Sequence, residues 1–250
     1  MPTNDAPAAA LLDAFTARLR AAVPLRALWA HGSLAHGDYR HGRSDLDLIA
    51  VLPAEADPRQ REELTQLHRQ LIDADPDAAK LHCSYLPERG LDDAGRPYFT
   101  FAQGEPMDRP VTPISRRELL HGGLVLTGPA PDTLLPPVGD AELHDHIRAD
   151  LRDYLLPITA KPEPWQQDIW VDHGPITAAR ATITLRDGRL VTKRAAIDEL
   201  PLLGAPQSLI DDIAARRYAT PLPLTPAART ERADAARRFT RTAIERALQG

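Results

Sequence analysis

The chain is almost free of cysteine. Its one thiol, Cys83, excludes an internal disulfide and points to a reducing, cytoplasmic setting. Long apolar runs are also missing. None approaches the ~20 residues that span a bilayer, so no membrane partner is expected. The N-terminal stretch carries Asp5 and Asp13 and lacks a basic segment before an apolar one, so no secretion signal is expected. Positive charge is not in surplus. The formal net charge of −5 is the reverse of a nucleic-acid binder's footprint. Nucleic acid is therefore not an expected partner, and a small acceptor, which can be cationic, is favoured. Three glycine motifs are absent: Gly-x-x-x-x-Gly-Lys-Ser/Thr, Gly-x-Gly-x-x-Gly and Gly-x-Ser-x-Gly. Their absence removes phosphate-loop kinases, dinucleotide enzymes and serine hydrolases.

What is present centres on Leu28 to Leu52. An apolar run from Leu25 to Ala30 ends at Gly32-Ser33, and a second, Leu46 to Leu52, begins inside Asp45-Leu46-Asp47. The stretch reads as strand, tight turn, short helix, loop, strand. Residues two apart in a strand share a face, ~6–7 Å apart. Asp45 and Asp47 can therefore share a hard cation such as Mg²⁺. Gly32 lets the backbone approach a ligand, and Ser33 can cap the short helix, whose free N–H groups suit phosphate. Together these features read as a site for a metal-bound nucleoside triphosphate. His31, His36 and His41 recur every five residues, which suits no metal geometry; they read as loop polar residues, with His31 supporting the turn. Arg40 and Arg43 read either as phosphate neighbours or as a solvated loop.

With 250 residues and 43% apolar content, the chain can fill one large domain or two ordinary ones. Residues 8–22 form an amphipathic helix on Leu11, Leu12, Phe15 and Leu19, and residues 58–74 a second on Leu64, Leu67 and Leu71. Trp29 reads as core. Lys80 to Leu86 alternates as a third strand carrying His82. Residues 90–113 are loop-rich around Tyr98, Phe99 and Phe101. A helix with Leu119 and Leu120 follows, then a Pro-rich linker at 129–137. Domains are expected over 1–138 and 139–250, the second mostly helical. There Leu143, Ile147 and Leu151 form a stripe, and Gly174-Pro175 starts a helix that ends at Asp187-Gly188. A last helix covers 222–248, on Ala235, Phe239, Ala243 and Leu248.

Gly32-Ser33, eleven residues, then Asp45-x-Asp47 and an apolar strand resembles the signature of the nucleotidyltransferase superfamily, the polymerase-beta-like fold. The run Gly174-Pro-Ile-Thr-x-x-Arg180…Gly188-Arg-Leu-Val-Thr-Lys193 is similar to the helical domain of the aminoglycoside (streptomycin/spectinomycin) adenylyltransferases, a family of antibiotic resistance. Leu124-x-Leu-Thr-Gly-Pro…Pro-Pro-Val138 is similar to the passage that closes their first domain. The resemblance implies an α/β class: a small mixed-sheet nucleotidyltransferase domain, then an all-helical domain, as a monomer or weak dimer. It implies transfer of AMP from ATP to a hydroxyl of a small molecule such as an aminoglycoside or related sugar. Asp45 and Asp47 would hold one or two Mg²⁺, Gly32 and Ser33 would grip phosphates, and Arg180 and Lys193 would meet the triphosphate.

The family's third carboxylate falls at His82. Either His82 is the general base, or another acid such as Glu88 reaches in, or turnover is impaired. Glu105 matches an acceptor contact, but Pro106 stands where the family has Trp. Trp165, Asp168, Trp170, Asp172 and His173 would line an acceptor pocket, since carboxylates and aromatics suit a cationic sugar. Two alternatives remain: a degenerate nucleotide-binding module, and nucleotidylation of a protein.

Overall fold

The computed structural model describes residues 5–250 except positions 92, 94 and 222. It divides into two compact units, Met1–Val138 and Gly139–Gly250.

The first unit opens with α1 (Ala6–Ala22), whose N-terminus is fixed by the Asp5 side chain accepting from the Ala8 amide. Then come β1 (Ala27–His31), α2 (Gly32–Ala35), β2 (Leu46–Leu52) and α3 (Pro58–Ala74). Asp57 and Gln60 form a capping box at the start of α3, and the chain leaves it at Asp75-Pro76, where proline disfavours helix in the preceding residue. After β3 (Leu81–Pro87) come β4 (Pro97–Ala102), β5 (Glu105–Pro110), α4 (Pro113–Gly122), β6 (Leu124–Thr127) and α5 (Pro131–Leu134). The six strands lie in the order β5-β4-β3-β2-β1-β6, with β2 and β3 parallel and the other pairs antiparallel.

Side chains of alternate strand positions build two cores. Leu28, Leu48 and Tyr85 pack toward α1 and α3 with Phe15 and Leu64. Trp29, Ile49 and Leu86 pack on the other face with Leu119 of α4. Each fully buried Leu or Phe contributes roughly 1.5–3 kcal/mol. His68 of α3 belongs to the first core. It bonds Tyr85 Oη at 2.7 Å and stacks on Phe101 with centroids 4.2 Å apart. Burial lowers its pKa to about 3, so the ring is neutral.

Three sequence expectations need correction here. Residues 90–113 are not mainly loop but hold the β4–β5 hairpin. Its turn is Gln103 (φ 55) and Gly104 (φ 80), two left-handed residues in a row as a primed hairpin turn requires. Prolines sit at the start of β4 and along the edge strand β5, where a missing N–H is tolerated. β3 does not alternate between buried and exposed; all seven positions are buried, because helices cover both faces of this parallel pair. The four-residue edge strand β6 lay unrecognised inside an apolar run.

The second unit is helical. It contains α6 (Asp140–Asp150), a π-helical turn (Leu151–Leu155), α7 (Leu156–Ile158), a 3-10 turn (Pro164–Gln166), α8 (Asp168–Asp187), α9 (Lys193–Glu199), α10 (Gln207–Tyr218) and α11 (Pro226–Gln249). The final helix begins at Pro226; the start expected for it, position 222, lies outside the described residues. Gly174-Pro175 does not begin a helix, because α8 already runs through it. An interior proline costs about 3 kcal/mol. Tertiary packing offsets that cost: a Cβ at Gly174 would lie 2.5 Å from the ring of Trp165, so glycine seats the tryptophan there. Gly188 does end α8, in the left-handed conformation (φ 70). Among the described residues, no helix is long and apolar enough to cross a membrane.

Candidate functional site

Strand register assembles the site. His31 ends β1 opposite Asp47 of β2, and Asp47 lies beside His82 of β3. The three share the α4 face, the face of Trp29, Ile49 and Leu86. Adjacent strands are about 4.8 Å apart, so the side chains form a row. Asp45 lies just before β2, outside the strand and half-buried, with Tyr39 as an electrostatic neighbour.

Gly32 follows His31 with φ +63, and a Cβ there would stand 2.7 Å from Asp47 Oδ2. Conformation and close approach both demand glycine. α2 starts earlier than expected: His31 is its N-cap, and Ser33 lies within its first turn rather than capping it. With four residues, α2 is too short for a helix-dipole site; any phosphate contact here comes from the backbone of the bend.

Glu118 of α4 meets His31 Nδ1 at 3.1 Å, both side chains nearly buried. On the other flank, His82 Nδ1 is 3.6 Å from Asp47 Oδ1, a contact longer than a hydrogen bond. Burial alone would raise the Asp47 pKa. The attraction of His82, His31 and Arg109 outweighs it and lowers the pKa, so the carboxylate stays ionised at neutral pH. Two of these groups escaped sequence reasoning. Arg109 lies on β5 inside the supposed loop. Glu118 sits in Arg116-Arg117-Glu118, which looks like a solvated helix turn although all three residues are buried.

The remaining residues of the motif separate. His36 lies against Gly122 of α4, whereas His41 contacts Asp5 and Asp77. Arg40 and Arg43 occupy an exposed turn closed by hydrogen bonds from the Arg43 and Ser44 amides to the Arg40 carbonyl. Glu88 cannot replace the missing acid. It is paired with Arg26 at 3.2 Å, six residues and about 20 Å along the strand direction from His82. Glu105 is 73% exposed at the start of the edge strand, with Arg69 as its ionic neighbour at 3.8 Å.

Asp45 and Asp47 offer hard oxygen ligands, the donor chemistry that Mg²⁺ prefers, whereas the His82 nitrogen does not. Among the described residues no three His, Cys, Asp or Glu side chains converge as a metal cage. A cation held by the aspartates would complete its shell with phosphate oxygens and water.

In the helical unit, Arg180 Nε donates to the Val191 carbonyl at 2.8 Å, and Lys193 opens α9 behind its cap, Thr192. His173 belongs to this group: surrounding protein and then the Lys193 cation lower its pKa. Trp170 stands edge-on to His173, ring centroids 5.7 Å apart. Trp165 does not line a pocket. It is fully buried and donates to the Ile158 carbonyl at 3.2 Å, a core role set by its packing on Gly174. Asp168 pairs with Arg232, and Asp172 with Arg216 at 2.6 Å. Burial raises the Asp172 pKa despite that arginine.

No family model and no curated protein matches the chain. Among solved structures, spectinomycin adenyltransferase AAD(9) from Enterococcus faecialis, with ATP and spectinomycin, superposes with a TM-score of 0.73. The two are 15% identical, over 94% of this chain and 98% of that one. The likeness shows a shared fold, the mixed-sheet and helical architecture implied by the Gly-Ser and Asp-x-Asp motif. A toxin–antitoxin structure with AMP-PNP also matches, at a TM-score of 0.34 and 15% identity over 59% of this chain and 97% of that one; nothing rests on it.

Proposed function

We propose that this protein transfers a nucleoside monophosphate, AMP from ATP, to a hydroxyl of a small molecule. The reading rests on one observation: Asp47 flanked by two imidazoles across the strand register, with the Gly32 backbone against its carboxylate. Asp45 and Asp47 would hold Mg²⁺, which when bound neutralises charge developing on the phosphates. The Gly32-Ser33 bend binds the terminal phosphates. Within the helical unit, Arg180 and Lys193 are the candidates for a phosphate contact. The acceptor oxygen attacks the α-phosphorus, the bond to the β-phosphate oxygen breaks, and His82 takes the hydroxyl proton on a ring nitrogen. Trp170 and His173 present an aromatic surface to a cationic sugar acceptor of the aminoglycoside or spectinomycin kind.

His82 in the third-carboxylate position favours a second reading, nucleotide binding without turnover. A pyrophosphate-release screen decides between them. ATP, GTP, CTP and UTP are each offered with Mg²⁺ against an aminoglycoside and sugar panel. Release with ATP and one acceptor class supports the transferase; tight ATP binding with no release for any pair supports the binding module.

A further inference from the structure

The histidines that bracket the phosphate bend have no part in the transfer as written, yet both are seated on one helix. His31 is the N-cap of α2 and His36 its C-cap. His31 Nδ1 meets Glu118 Oε2 at 3.1 Å. His36 lies against Gly122, where a Cβ would stand 3.0 Å from its Cε1. Residues four apart share a helix face, so Glu118 and Gly122 present one surface of α4 to both ends of the bend. α4 is itself anchored at its start and at its middle. The Thr112 side chain caps it, and Arg117 Nη2 donates to the Val138 carbonyl at 2.6 Å.

We infer that Glu118 is a positioning residue: through His31 it fixes the Gly32-Ser33 bend and its approach to Asp47. This role rests on the transferase reading only for what the bend binds. Glu118 is a nearly buried carboxylate, and such a group persists only where it is bonded. Its bond sets the plane of a ring that is directly across the register from Asp47 and one residue before the left-handed Gly32. The bond holds the side chain of the residue that leads into the bend, whose own closure is two amide bonds, His36 N to the Gly32 carbonyl (3.2 Å) and Asp38 N to the Ser33 carbonyl (2.9 Å). Sequence reasoning could not find this pairing, because 87 residues separate the partners.

The test compares Glu118→Ala with Glu118→Gln, which keeps an oxygen to accept from His31. Amide exchange at His36 and Asp38 is measured without ligand, and Mg²⁺·ATP binding by calorimetry. Glu118→Ala is expected to speed exchange at both amides and weaken ATP binding by about 10-fold or more, the scale of a site displaced by a fraction of an ångström. Glu118→Gln is expected to restore both to within about threefold, as its bond to His31 is kept. Unchanged exchange in Glu118→Ala, or a glutamine variant as impaired as the alanine one, would overturn the role. A native chain that binds no nucleotide overturns the transferase reading instead, and the two failures stay distinct because the exchange comparison needs no ligand.

Discussion

The two units carry charge in opposite ways. In the sheet unit, register holds His31, Asp47 and His82 side by side, and the central carboxylate stays ionised beside imidazoles rather than tied to an arginine at bonding distance. In the helical unit, the acids expected to meet an acceptor are already paired, Asp172 with Arg216 and Asp168 with Arg232. A carboxylate held between imidazoles on central strands is available for chemistry. Carboxylates neutralised by neighbouring helices hold those helices together. The contrast predicts that substitutions in the row remove activity and leave the fold, whereas substitutions in the helical pairs do the reverse.

The largest effect expected short of removing Asp47 itself is in the row. His82→Ala should lower the transfer rate by ~10²–10⁴, the value of a positioned base. Single-turnover kinetics check it, and an unchanged rate would reassign His82 to structure. Next comes a purely structural imidazole. The folded pKa of His68, about 3, is far below its ordinary 6.5. Its contribution is therefore fully present above pH 6.5 and is lost as pH falls, reaching about 4–5 kcal/mol near pH 3 at 1.36 kcal/mol per unit. His68→Leu should flatten that part of a denaturation-versus-pH series while ATP binding at neutral pH holds.

Asp172→Ala tests the other side of the contrast. It removes a nearly buried partner of Arg216, leaving Asp212 as its neighbour. A stability loss of about 2–3 kcal/mol is expected by denaturant titration, with the acceptor KM little changed. A raised KM at full stability would return Asp172 to the acceptor site. Lys193→Ala should show the smallest effect, a KM for ATP raised about 10-fold with kcat less affected, as befits one phosphate contact.

How much was legible follows the same division. β1, β2 and the glycine bend between them could be read because strand period and bend lie within one short stretch. Trp165 misled because an aromatic beside acids looks the same in sequence whether it faces a ligand or a glycine on the next helix. The β4–β5 hairpin was missed in a stretch whose prolines an edge strand tolerates, and Arg109 was missed with it. Glu118 was out of reach for another reason: its partner is chosen by how α4 lies on β1, which no local pattern encodes.

The central claim is that Asp47 works as an ionised ligand in the row. The most direct measurement is pyrophosphate release by Asp47→Asn with Mg²⁺·ATP and the acceptor that the screen identifies. The account predicts release lower by about 10⁴-fold or more, since the variant loses a metal-binding charge, together with an unchanged far-ultraviolet circular dichroism spectrum and thermal midpoint. A variant that folds normally and releases pyrophosphate at the native rate would contradict it.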